Sequence, residues 1–280
     1  LSDPFLITGP ALVSFSGGRT SAYMLWRILQ AHGGTLPDGV VVAFANTGKE
    51  REETLRFVHE CGSRWGVKVR WLEYRNDERG YEEVGFNSAA RSGQPFSALI
   101  AKKGYLPNRG AGYCSIELKG RVIRDFLVSK YGWKNWSSVI GLRADERDRV
   151  FSARRSRERW TNVTPLFDAG VTRRDVKAFW AAQDFDLGLL DYEGNCDLCW
   201  KKSRPKLMRT IRDNPTRALW WMAQERAVNQ AQSGSQFNLD YRVAELVRDV
   251  RAQRTLPIVD DADWDDHDAE CGLWCPVEAA

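Results

Sequence analysis

Apolar and polar positions along this chain fall into two alternating rhythms. Short apolar runs at Ala11 to Phe15, Val40 to Ala45, Val67 to Glu73, Ser138 to Leu142 and Asn162 to Leu166 have the length of buried strands. Between them, Thr20 to Ala31, Glu50 to Arg64 and Ile116 to Lys130 carry apolar residues at helical spacing, as in Ala22, Met24, Leu25, Ile28 and Leu29. This alternation predicts an α/β fold: a parallel twisted sheet with helices on both faces and ligands at the carboxyl ends of its strands. Asn76 to Gly112 is polar and dotted with glycine, and reads as a long functional loop with one short helix. After Cys199 the strand rhythm stops. Pro205 to Arg212, Pro215 to Gln232 and Leu239 to Gln253 predict helices, and Leu219, Trp220 and Trp221 read as a packing face. The expected organisation is therefore a sheet domain over residues 1–199, a helical appendage over 200–256 and a tail over 257–280.

The junction between the first strand and the first helix holds Ser16-Gly17-Gly18-Arg19-Thr20-Ser21. A loop that leaves a strand and opens a helix directs backbone N–H groups and the positive end of the helix dipole at one place, which suits an anion. Without β-carbons, Gly17 and Gly18 let the backbone approach phosphate oxygens, and the neighbouring hydroxyls and guanidinium add donors. The same residues also make a tight turn capped by Ser or Thr, and the pattern alone leaves both readings open.

Composition narrows the class of protein. Of 280 residues, 43% are hydrophobic and 28% charged, as in an ordinary globular protein with a substantial core. No apolar run approaches the ~20 residues of a membrane span, and the start lacks a signal-peptide layout, so a cytoplasmic protein is expected. In that compartment the six cysteines are expected to be free, metal-bound or catalytic. Net charge is only +4, yet seven arginines crowd Arg143 to Arg159, and an acidic stretch, Asp260 to Glu270, precedes Cys271. The basic stretches suit polyanions, nucleic acid among them, although no nucleic-acid-binding motif is recognisable. Cys196 and Cys199 form a C-x-x-C pair, spaced for two ligands on one metal or for a redox disulfide. Cys61 lies on an amphipathic helix and reads as core, and with three histidines in the chain, histidine-based catalysis has little material.

Several segments together resemble a known group. Val13-Ser14-Phe15-Ser16-Gly17-Gly18-Arg19-Thr20-Ser21 is similar to the pyrophosphate-binding loop of the adenine nucleotide α-hydrolase superfamily, which includes ATP pyrophosphatases and the PAPS/APS reductases. Phe44-Ala45-Asn46-Thr47-Gly48 with Glu53-Thr54, Tyr113-Cys114-Ser115-Ile116-Glu117-Leu118-Lys119 and Gly141-Leu142-Arg143-Ala144-Asp145-Glu146-Arg147 resemble the reductases' later motifs in the same order. So do Pro165-Leu166-Phe167, Thr172 to Trp180, Cys196-Asp197-Leu198-Cys199 and the tail Glu270-Cys271-Gly272-Leu273. Departures are visible too: Asn46 replaces an Asp, Tyr113 occupies one place of a double cysteine, and Trp274 stands where a His follows the tail motif. ATP-using relatives carry Lys-Asp where this chain has Arg19-Thr20.

The resemblance implies an adenine nucleotide (PAPS, APS or ATP) held by Ser14, Ser16, Gly17, Gly18, Arg19, Thr20, Ser21, Asn46, Thr47, Gly48, Lys119, Gly141, Arg143 and Arg147. It implies Cys271 as the thiol that attacks the sulfonucleotide, with thioredoxin or glutaredoxin then releasing sulfite. It further implies a [4Fe–4S] cluster on Cys114, Cys196 and Cys199 with Cys275 or Cys271 as the fourth ligand, zinc being the alternative. The expected activity is thus a PAPS/APS-type reductase. The alternatives are an ATP pyrophosphatase-like sulfurtransferase acting on nucleic acid, or a non-catalytic nucleotide-binding accessory protein of a mobile-element or CRISPR-linked pathway.

Overall fold

The computed structural model describes residues 3–228 and 234–252. Its first half runs β1 (Ala11–Ser14), α1 (Arg19–Ala31), β2 (Val40–Asn46), α2 (Glu52–Arg64), β3 (Val69–Tyr74), β4 (Tyr81–Val84), α3 (Gln94–Lys103) and α4 (Tyr113–Ser115). A π-helical turn (Ile116–Arg121) then leads into α5 (Val122–Tyr131), β5 (Ser137–Val139), α6 (Arg147–Arg154), β6 (Thr161–Val163), α7 (Pro165–Asp168) and α8 (Arg173–Ala181). The remainder is helical: α9 (Arg204–Asp213), α10 (Ala218–Ala227) and α11 (Val243–Ala252).

The strands form one sheet in the order β4-β3-β2-β1-β5-β6. All neighbours are parallel except β4, which pairs antiparallel with β3. Strand side chains alternate between faces, and the alternation in β1 and β2 builds two cores. Val13, Val42 and Phe44 pack with Met24, Leu25 and Ile28 of α1, Leu55 and Phe57 of α2 and Trp180 of α8. Leu12, Val41, Ala43 and Ala45 point the other way, where Leu99, Leu118 and Phe126 meet Leu207, Ile211, Trp221 and Leu246 of the last three helices. The expected α/β sheet with helices on both faces is therefore present, and α9 to α11 complete one of its two cores.

Two local expectations change. The run from Asn162 does not continue as a strand to Leu166, because Pro165 lacks an N–H for the ladder and its fixed φ starts α7 instead. Within the segment read as a loop, Tyr81–Val84 forms β4. Its Glu82-Glu83 pair hides the strand from an apolar count; Glu83 is held by Arg70 at 2.8 Å and Lys130 at 2.6 Å, so ion pairs on neighbouring elements accompany the strand pairing.

Glu225 of α10 shows how the helical region is closed. Its buried carboxylate accepts the Val243 N–H at 2.9 Å and the Phe237 N–H at 3.3 Å, tying the start of α11 to α10. Burial pushes this carboxyl above its ordinary range, with the two backbone donors working against that shift. Glu225→Ala strands both N–H groups and is expected to cost about 2 kcal/mol, whereas Glu225→Gln keeps one acceptor, leaves the other N–H facing an amide donor and costs about 1 kcal/mol. Urea unfolding of the two variants checks this.

Candidate functional site

The sheet order places β1 between β2 and β5, so the chain crosses over in opposite directions on its two sides. Ligands of open parallel sheets bind at that point, outside the carboxyl ends of the strands. The loop after β1 is held there from several sides. Gly17 has φ +84°, in the left-handed region, and a β-carbon there would come within 2.7 Å of Thr54 Cγ2 and 3.1 Å of the Phe44 ring. Ser16 Oγ lies 2.9 Å from Ser21 Oγ, Ser21 Oγ donates to the Gly18 carbonyl, and Asn195 donates to the Ser16 carbonyl at 3.0 Å. The N-cap of α1 is Gly18, with no side-chain cap and no acidic residue in the first turn. A Ser- or Thr-capped turn is thus not what forms, since the cap residue is a glycine without a side chain. Ser14, Thr20 and Ser21 are buried around it.

The loop after β5 closes against this N-terminus. Gly141 lies so near α1 that a β-carbon would be 3.2 Å from Ser21 Cα. Buried Arg143 donates to Thr20 Oγ1 at 3.2 Å and is paired with Asp145 at 3.1 Å and Glu146 at 3.4 Å. Burial alone would raise the Asp145 carboxyl; the hydrogen bonds and charge of Arg143 outweigh it and hold the group below its usual range. Arg147 opens α6 and is exposed. Arg19 turns aside: its guanidinium grips Asp186 through Nε at 2.7 Å and donates to the Leu189 carbonyl at 3.1 Å. Burial again opposes, but these contacts keep Asp186 below the ordinary carboxylate range.

The Asn46-Thr47-Gly48 turn is held by internal hydrogen bonds. Asn46 is fully buried, donating to Glu73 Oε1 at 2.7 Å and the Ala90 carbonyl at 2.9 Å while accepting from the Gly48 N–H. The Thr47 N–H and hydroxyl both donate to Glu50 Oε2, at 2.8 and 2.7 Å. Glu50 Oε1 makes no hydrogen bond among the described residues, and the Lys119 ammonium lies 3.4 Å from it. Lys119 reaches this place from the π-helical turn, an extra-wide winding often associated with functional positions.

The chain returns to the same edge with the thiols. Glu50 and Cys196 form an antiparallel β-bridge, flanked by Arg51 N–H to Asn195 O at 2.7 Å and Asp197 N–H to Lys49 O at 2.9 Å. Asp197 is fixed further by Lys49 Nζ at 2.8 Å and Trp221 Nε1 at 2.8 Å, and Lys49 lies 5.1 Å from the Trp220 ring centre. Burial pushes the Cys196 thiol well above its ordinary range; Cys199, Asp197 and Glu50 push the same way, and Lys119 opposes them. Cys114 and Cys196 both pack against the core that contains Leu118 and Trp221. Tyr113, at the place of a second cysteine, is a core residue whose hydroxyl donates to the Tyr105 carbonyl at 2.5 Å.

Among the described residues no group of three or more His, Cys, Asp or Glu side chains is arranged to hold a metal ion. The donor set of Cys114, Cys196 and Cys199 therefore does not by itself fit the expected cluster. Cys271, Cys275 and the acidic tail lie outside the described residues. Cys61 is buried in the core as expected, and burial raises its thiol. Among the described residues no helix is long and apolar enough to cross a membrane.

Sequence reasoning gave no site role to Lys49, Glu50 or Asp197 and read Trp221 only as a packing residue. The available signal was Lys49-Glu50-Arg51 directly after a glycine turn at a strand end, a charged triplet where a buried crevice was expected.

Comparison with known proteins adds one decisive likeness. The uncharacterized nin region protein ORF290 of Escherichia phage lambda is 31% identical over 210 residues, covering 72% of this chain and 69% of that protein. The chain belongs to the ORF290 family. The uncharacterized protein MJ0066 of Methanocaldococcus jannaschii is 28% identical over 140 residues, half of this chain and 24% of that protein. No family model matches the chain. A solved structure, the U34-tRNA thiolase NcsA from Methanococcus maripaludis with its [4Fe-4S] cluster, aligns over 85% of this chain and 80% of its own. Its identity is 10% and its TM-score 0.39, a level that carries no functional argument.

Two predictions follow from this geometry for the ORF290-family chain. Gly17→Ala forces a left-handed backbone on a residue with a β-carbon and is expected to cost at least about 1 kcal/mol, read as a lower Tm. Alkylation of Cys196 by iodoacetamide, followed by peptide mass spectrometry, should be slow at neutral pH and rise with pH, because only the thiolate reacts. Lys119→Met removes a positive charge that favours this thiolate and slows the reaction at a given pH; Glu50→Gln removes an opposing charge and speeds it.

Proposed function

We propose that this ORF290-family protein is a PP-loop-type enzyme that binds ATP at Ser16–Ser21 and uses Cys196 and Cys199 to pass sulfur to an activated acceptor. The observation that carries the reading is the β-bridge between Glu50 and Cys196, with Asn195 holding the Ser16 carbonyl. These contacts tie the segment carrying the thiol pair to the loop that opens α1, which supports placing nucleotide binding and sulfur chemistry side by side.

In this reading an acceptor oxygen attacks the α-phosphorus of ATP, the bond to pyrophosphate breaks, and the α1 N-terminus holds the departing pyrophosphate. Arg143 and Lys119 add positive charge beside it, and the hydroxyls of Ser16, Thr20 and Ser21 add donors. Sulfur carried as a persulfide on one cysteine of the pair then attacks the adenylated carbon and displaces AMP. The second cysteine attacks that disulfide, releasing the thiolated acceptor and leaving Cys196–Cys199 oxidised; an external thiol reductant and a sulfur donor restore the persulfide.

A second reading rests on the Glu270-Cys271-Gly272-Leu273 tail, which favours a sulfonucleotide reductase with Cys271 as nucleophile. One pair of assays separates them. Anaerobic protein with dithiothreitol, a persulfide donor and a nucleic-acid extract is expected to form AMP and pyrophosphate from ATP, with both lost in Gly17→Ala and with AMP release and thiolation of the acceptor lost in Cys196→Ser. Sulfite from PAPS or APS that is lost in Cys271→Ser, without AMP from ATP, would replace the first reading with the second.

A further inference from the structure

Ion pairing is unevenly distributed over the arginines. Arg19, Arg51, Arg64, Arg70, Arg75, Arg91 and Arg143 all contact a carboxylate. Around α6 arginines without a carboxylate contact are clustered in sequence. Residues 147–159 hold six arginines against Asp148 and Glu158, a local net charge of +4. Arg149 is taken up by Glu146 and Arg154 by Asp168. Arg147, Arg155, Arg157 and Arg159 are exposed, and no carboxylate pairs with their guanidinium groups among the described residues.

The placement of α6 orders these charges. Val150 and Ala153 are buried, and Asn162 of the edge strand β6 donates to the Ala153 carbonyl at 2.8 Å, which fixes the inward face of the helix. Arg147, Phe151 and Arg155 then fall at i, i+4 and i+8 on the opposite, outward face. Phe151 is 43% exposed, with its ring edge supported by Phe167 at 6.0 Å between centres, so a large aromatic stands rigidly in solvent between cations. The helix runs about 12 Å along the outer edge of the sheet, from the Arg143 loop at the carboxyl ends of the strands toward Arg155. Arg157, Arg159 and Trp160 continue the strip into β6, and Trp160 stacks on Trp136 at 5.2 Å.

We propose that this edge, Arg147–Phe151–Arg155 with Arg157 and Arg159, binds a single-stranded nucleic acid, its phosphates on the arginines and a base on Phe151. A strip of uncompensated guanidinium groups matches a polyphosphate backbone, and an exposed ring between them matches a base, a combination an acidic peptide does not use. The strip begins one turn beyond Arg143, so a strand lying on it leads into the crevice between β1 and β5. Binding here does not depend on nucleotide at the phosphate loop, so its failure and the failure of the proposed ATP chemistry are separate results.

The test is fluorescence anisotropy of the full chain with fluorescein-labelled oligo(U) and oligo(dT) about 20 nucleotides long, without added nucleotide, across a salt series. The Arg155→Gln/Arg157→Gln/Arg159→Gln variant is expected to weaken binding about tenfold or more at 0.1 M salt, and to lower the slope of log affinity against log salt by about 2, at ~0.7 for each lost phosphate contact. Phe151→Ala is expected to weaken binding at least about fivefold with the slope unchanged, because stacking is not a counterion effect. Tm and ATP affinity should match the parent in both variants, which separates loss of the surface from loss of the fold. The proposal is overturned by absent or salt-independent binding, by either variant binding like the parent, or by polyglutamate binding the parent as tightly as the oligonucleotides.

Discussion

The structure turns on one short stretch of backbone pairing. Lys49, Glu50 and Arg51 run alongside Asn195, Cys196 and Asp197, joined by main-chain hydrogen bonds at both ends. Main-chain pairing fixes register independently of side chains, so it sets where the C-x-x-C loop lies relative to β2. Every charged contact nearby then has a defined address: Lys49 on Asp197, Lys119 on Glu50, and Arg51 on Glu193 at 2.6 Å. Without this pairing the cysteines would belong to a surface loop and the crevice at the end of β1 would lack its far wall.

The charges in this wall are unusual in being both buried and paired. A buried ion pair is weak evidence for stability, since desolvation offsets most of the attraction. Its effect here is on position and reactivity. Burial is the main reason Cys196 is held as the neutral thiol; Cys199, Asp197 and Glu50 add to it, and Lys119 pulls the other way.

Much of the sheet was legible because its strands are apolar runs of ordinary length and its first helices are amphipathic; α1 was placed within one residue of its start, Thr20 against Arg19. The β4 strand escaped because its charged residues are neutralised by partners from β3 and α5, a relation no local window contains. The site divided in the same way. Ser16, Gly17 and Gly18 could be marked in advance because a loop between strand and helix has its own local signature, and Arg143, marked by resemblance alone, is brought against the same loop at Thr20. Glu50 and Lys49 were missed because their importance comes from a segment more than a hundred residues later. Arg19 shows the converse: a cation in a phosphate-like motif is expected to face the ligand, yet Asp186, remote in sequence, draws its guanidinium aside.

Trp221 belongs to α10, and its indole N–H closes the last coordination of Asp197. The helix that supplies it is made after both cysteines have already been added to the chain. During synthesis the N-terminal strands can pair as they emerge, and the segment carrying Cys196 can bridge to Glu50 before α10 is made, but Asp197 gains its indole donor only once α10 is in place.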